Sequence, residues 1–160
     1  DVILDGGSCA VGIESTIVLA TSGTPKILRP GAITEELIKS ITGLDLDTDL
    51  QGSPKVSGAL ASHYAPKAKV QVVTEIAGKN FESQSGFIAL AEIPTPPSMV
   101  RLAAPNSEME FAADLYQAMR KADELNLVTI YIVTPQATGI GRAIVDRVAK
   151  AAHEKSSERR

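Results

Sequence analysis

Hydrophobic and polar positions follow two different rhythms along this chain, and the change falls before its midpoint. The apolar residues at 2–4 run into Asp5-Gly6-Gly7, the pattern of a short strand ending in a turn. Residues 15–20 are β-branched and apolar through Thr16-Ile17-Val18-Leu19, which predicts a strand. Thr21-Ser22-Gly23-Thr24-Pro25 is a turn, and 26–29 form a second short strand stopped by Pro30-Gly31. A hairpin joining the two strands is the simplest arrangement. Thr34 is placed to cap a helix whose first turn carries Glu35 and Glu36, where negative charge suits the helix dipole. Leu37, Ile38 and Ile41 give that helix an apolar side, and Gly43 fits its stop.

From residue 45 the periodicity lapses into Asp, Thr, Gln, Gly, Ser and Pro, as in a linker, and a domain boundary is expected there. After Pro66 the second rhythm begins. Strands are predicted at 70–74, 87–91, 100–103 and 129–133; the second is almost wholly apolar, as in a strand buried on both faces. Ser107-Glu108-Met109-Glu110 has the spacing of a capping box. The helix it opens carries Phe111, Ala112, Leu115, Met119 and Ala122 on one side. A final amphipathic helix is predicted over 143–152, with Ile144, Val148 and Ala151 inward. Strands alternating with helices argue for an α/β unit with a mostly parallel sheet covered by helices.

Composition narrows the class. The 160 residues are 44% hydrophobic and 22% charged, the balance of a chain with a buried core. The net charge of -3 gives no sign of a general nucleic-acid surface. No apolar run approaches the ~20 residues that span a membrane, and the first residues lack the basic stretch of a signal peptide. The single cysteine, Cys9, cannot form an intrachain disulfide, which suits a reducing cytoplasm; it is expected to be a packed thiol. The chain opens without methionine inside a strand pattern, as a piece of something longer would.

Four segments carry a more specific signal. They are Gly12-Ile13-Glu14-Ser15-Thr16-Ile17-Val18, Ile27-Leu28-Arg29-Pro30-Gly31-Ala32-Ile33, Ser57-Gly58-Ala59-Leu60-Ala61-Ser62-His63-Tyr64-Ala65-Pro66, and Gly139-Ile140-Gly141-Arg142-Ala143-Ile144-Val145-Asp146-Arg147. In this order they resemble the long form of threonylcarbamoyl-AMP synthase. The resemblance implies that 1–44 end a YrdC-like α/β catalytic domain. It makes 45–68 a linker with a His-Tyr-Ala-Pro motif, 69–152 a Rossmann-like accessory domain, and 153–160 a flexible tail. It implies a parent enzyme that condenses L-threonine, bicarbonate and ATP, with Mg2+, into threonylcarbamoyl-AMP and pyrophosphate. That product feeds the machinery that modifies adenosine 37 of tRNA; direct tRNA binding by this chain stays open.

By the same resemblance Ser15 contacts L-threonine, Arg29 contacts ATP, Thr16 is a further candidate, and His63 and Tyr64 belong to a lid over the cleft. Such chemistry asks for positioning and charge neutralisation rather than a covalent nucleophile. A guanidinium suits it, being a planar fork of donors that stays charged. Seen without context, Ser15-Thr16 would be ordinary strand and Arg29 a surface residue, and His63-Tyr64 could merely dock the linker. Leu19 stands where the family commonly has Asp, and Ser57-Gly58-Ala59-Leu60 where Pro-Gly-Met is frequent. The family's Lys-x-Arg and Ser-x-Asn elements do not occur in this stretch, so the chain alone is expected to be inactive.

Two readings of other classes compete. Residues 67–152 could be a stand-alone nucleotide-, tRNA- or protein-binding module, or a structural dimerisation domain. Gly139-Ile140-Gly141 invites a phosphate-loop reading but matches neither a dinucleotide fingerprint nor a Walker loop; tight turn packing explains it better. Asp146 and Arg147 are neighbours on one helix and should not face each other. His153 is expected to be solvated.

Overall fold

The computed structural model describes residues 2, 4, 6, 7, 9–57, 65–74, 76 and 81–153. Its elements are β1 (Ile17–Leu19), β2 (Lys26–Arg29), α1 (Glu35–Thr42), β3 (Lys69–Val72), β4 (Ser85–Ile88), β5 (Met99–Ala103), α2 (Glu108–Glu124), β6 (Thr129–Ile132) and α3 (Gly141–His153).

The expected hairpin is present: β1 pairs antiparallel with β2. Its ladder is irregular. Ile17 stands opposite Arg29 while Val18 stands opposite Ile27, so Leu28 is an extra residue beside Arg29. A bulge of this kind bends the strand and re-aims neighbouring side chains. The chain after α1 returns to this sheet. Asp47 bridges Lys26, its N–H donates to the Pro25 carbonyl, and its carboxylate pairs with Lys26 at 2.8 Å.

Residue chemistry sets the helix ends. The Thr34 hydroxyl accepts from the Leu37 N–H, and Gly43, at φ 70°, closes α1 by donating to the Lys39 carbonyl. Ser107 accepts from the Glu110 N–H. The Glu110 carboxylate reaches back to the Asn106 N–H, one residue before the cap that a standard capping box would use. Asn126, at φ 53°, turns the chain out of α2 towards β6.

The second unit is an α/β layer with a wholly parallel four-stranded sheet in the order β3-β6-β4-β5. Both helices lie on one face. There Val70, Ile88, Leu102, Ile130 and Ile132 meet Phe111, Leu115, Met119, Ile144 and Val148. Phe87, Ala89, Met99 and Tyr131 point to the other face, where Ile76, Phe81, Ile93 and Val133 cover them. The helical cover is therefore one-sided. Within the parallel sheet, among the described residues, β5–α2–β6 is the connection between strands that carries a helix. The 89–98 loop is held by Arg101 instead. Its guanidinium donates to the carbonyls of Ala89, Leu90 and Ile93 and lies over the Phe87 ring at 5.1 Å.

Three details depart from the sequence expectations. β4 begins two residues early because Ser85 and Gly86 pair with β5 and β6; a side chain at Gly86 would strike Leu102, so the small residue belongs to the packed strand. Val2 and Leu4 are exposed and outside any strand, and Cys9 is exposed rather than packed. Among the described residues the chain joins the core from Val11 onward, and the thiol lies before that point. The third departure is at Asp146 and Arg147. They do interact, because the long Arg147 side chain folds back to bring Nη1 within 3.0 Å of the Asp146 carboxylate.

Candidate functional site

The hairpin ends where its two chemistry-bearing residues meet. Arg29 closes β2 and is 8% exposed, so it is not the surface arginine that Arg-Pro-Gly alone would suggest. Its Nε donates to the Ser15 carbonyl, Nη2 to the Ser15 Oγ, and Nη1 to the Ser57 carbonyl, each at 2.9 Å. Ser15 is exposed above it. Because Ser15 Oγ accepts from a cation, its hydroxyl proton is left to donate outward. Each terminal nitrogen of Arg29 also carries a second N–H not committed to these bonds.

Gly31 makes the approach possible. A Cβ there would lie 2.5 Å from both the Glu14 carbonyl and the Thr16 amide. Pro30-Gly31 therefore packs its backbone directly on the Ser15 segment, which only glycine allows. Thr16 lies beside this pair. Its Oγ1 donates to the Ile33 carbonyl at 2.7 Å, tying β1 to the approach to α1.

The linker is anchored at two points, one of them at this site. Ser57 is bound by Arg29. At the far end the Asp123 carboxylate on α2 accepts from the Lys67 and Ala68 N–H groups. His63 and Tyr64, with Gly58, lie between these anchors and outside the described residues, as do the side chain of His153 and the tail beyond it.

The site also touches the parallel-sheet unit. Gly12, at φ 70°, crosses α2 so closely that a Cβ would lie 2.4 Å from the Ala113 Cα. Val11, Ile13 and Ala32 pack on the helix-covered core. Between Ile13 and Ser15, the Glu14 carboxylate accepts from the Tyr116 hydroxyl and lies 2.6 Å from Arg147 Nε, which is buried. Glu14 and Arg147 both fall inside the sequence motifs, but their pairing joins positions too far apart along the chain for periodicity to reveal. Tyr116 carried no sequence signal beyond its place on α2.

A second contact bridges the units: Arg142 at the start of α3 pairs with Glu35 at the start of α1. Beside it lies a cavity of about 210 Å³ lined by Ile27, Ile33, Leu46, Leu50 and Arg142 among others. Gly141 lies in the turn that opens α3. A Cβ on Gly141 would lie 1.9 Å from the Gln136 carbonyl, so close turn packing accounts for the glycine. Among the described residues no group of three or more His, Cys, Asp and Glu side chains could hold a metal ion, and no helix is long and apolar enough to cross a membrane.

Known proteins resemble this chain in sequence and fold. A family model described as the C-terminal domain of threonylcarbamoyl-AMP synthase matches residues 33–153. The chain is 31% identical to the threonylcarbamoyl-AMP synthase of Bacillus subtilis over 166 aligned positions, covering 94% of this chain and 48% of that protein. It is 27% identical to the Pyrococcus abyssi synthase, over 93% of this chain and 48% of that one. The Schizosaccharomyces pombe synthase is 42% identical over a shorter stretch, 42% of this chain and 19% of its own length. The chain thus spans about half the length of its bacterial and archaeal relatives. The crystal structure of P. abyssi Sua5 complexed with L-threonine superposes with a TM-score of 0.71 at 25% identity, covering 92% of this chain and 48% of that one. A variant of that protein with adjacent His and Tyr residues replaced by Ala shares the fold, with a TM-score of 0.67 at 23% identity.

Proposed function

Since the chain belongs to the threonylcarbamoyl-AMP synthase family, within which it matches the C-terminal domain, we propose that it is the C-terminal half of such a synthase. The complete enzyme would condense L-threonine, bicarbonate and ATP into threonylcarbamoyl-AMP and pyrophosphate, for transfer to tRNA by a downstream enzyme. The observation that carries this reading is the Ser15–Arg29 pair. An exposed hydroxyl accepts from a buried guanidinium, which leaves its own proton available to donate, at the junction of hairpin and linker. The P. abyssi complex supports L-threonine as the amino acid.

In this reading the Ser15 hydroxyl orients L-threonine, and the uncommitted N–H groups of Arg29 face developing negative charge on ATP. Such preorganised donors need little rearrangement as the reaction proceeds. Thr16 supports the strand through its bond to the Ile33 carbonyl. Mg2+ would arrive with ATP; the described residues supply no ligand cluster for it, and no step here depends on one. Segment 58–64, with His63 and Tyr64, would act as the lid, rooted on Arg29 through Ser57. The amphipathic helix α1 leaves Leu37 and Ile41 exposed, a surface the preceding half of the enzyme would cover.

Arg29→Ala in the complete enzyme should weaken ATP use about 10-fold or more, the scale of one charge-assisted contact. Steady-state pyrophosphate release checks this, and unchanged KM and kcat would overturn the assignment. The 160-residue chain alone should show no threonine-dependent pyrophosphate release. A structural reading also has an observation in its favour, since Arg29 already binds Ser15 and Ser57. It predicts a loss of stability with ATP KM unchanged.

A further inference from the structure

The segment that presents Ser15 is held from the other unit. Gly12 rests on the α2 backbone at Ala112 and Ala113, and Val11 and Ile13 are packed into the helix-covered core. Glu14 is then clamped from two helices at once. Tyr116 on α2 donates its hydroxyl to both carboxylate oxygens at 3.1 Å, and Arg147 Nε on α3 lies 2.6 Å from Oε2. Arg147 is itself set by Asp146, which also pairs with Lys150 at 2.8 Å. The next residue is Ser15, whose carbonyl and hydroxyl both meet Arg29.

We propose that Glu14, Tyr116 and Arg147 form a latch through which the parallel-sheet unit fixes the position of Ser15, making all three positioning residues for amino-acid binding. The inference rests on the reading of Ser15 as the L-threonine contact. Three features favour a positioning role over simple docking. The latch acts one residue from the hydroxyl. Its carboxylate is held by a hydroxyl donor on one helix and by an ion pair with a buried guanidinium on another, so it is restrained from two directions. Gly31 packs against the Glu14 and Thr16 backbone from the opposite side, so a displaced Glu14 would carry Ser15 with it.

The test is calorimetric titration of the complete synthase with L-threonine. Glu14→Gln and Arg147→Met should each raise Kd about 10-fold, and the double variant should be no worse than the poorer single, because both remove one coupled unit. Tyr116→Phe, which keeps the ring packed, should raise Kd about 3-fold, and it carries the test if a charge variant does not fold. Arg142→Met removes the other bridge between the units and should lower the melting temperature with Kd unchanged. A merely structural role would lower stoichiometry or melting temperature in the latch variants at unchanged Kd, and that result overturns the proposal. A wild-type enzyme that does not bind L-threonine would overturn the underlying reading, and the latch with it.

Discussion

Arg29 gathers three pieces of chain around one guanidinium: its own strand, the Ser15 segment and Ser57 in the linker. The motif around it was visible in the sequence. Its burial was not, because burial depends on Pro30-Gly31 folding onto the Glu14–Thr16 backbone. That contact yields a residue-scale prediction. Gly31→Ala should cost about 1–3 kcal/mol, the price of forcing a methyl group into closed packing, and denaturant unfolding checks it. An unchanged midpoint would mean that the 2.5 Å approach is not rigid. Cys9 and the Asp146–Arg147 pair were misjudged for a related reason. Local spacing gives neither the packing limit at Val11 nor the path of a long side chain.

At the scale of elements, caps and periodicity were the most legible features. Thr34, Gly43 and Ser107 act where their types and positions suggested. The apolar face of α2 is buried at the residues the pattern picked out. The order of the strands was not legible, since nothing local places β6 between β3 and β4. Nor was the return of the linker to β2. There the hydrogen bond from Lys26, and then that from the Asp49 N–H, hold the Asp47 carboxyl below its ordinary value of 3.8. A depressed carboxyl stabilises the fold above its unfolded value and loses that contribution as pH falls through the folded one. The stability difference between wild type and Asp47→Asn should therefore be full at neutral pH and fade below about pH 4. Thermal unfolding across pH measures it, and a constant difference would argue against the Lys26–Asp47 bridge.

For the whole molecule, the sequence separated a hairpin-and-helix segment, a linker and a strand-and-helix segment. It did not disclose how closely the first and last are joined. The helix-covered core of the parallel sheet takes in Val11, Ile13 and Ala32, and the ion pairs Glu14–Arg147 and Arg142–Glu35 cross between the segments. Burying and pairing Arg147 makes this junction sensitive to the loss of either partner, since an uncompensated buried charge is costly. The parallel-sheet unit thus packs directly against the segment that carries Ser15. The most direct measurement is titration of the complete enzyme with L-threonine, comparing wild type with Ser15→Ala. Binding by wild type, weakened about 10-fold at unchanged stoichiometry in the variant, is the predicted result. Equal affinity in the two proteins, or no binding by wild type, would contradict it.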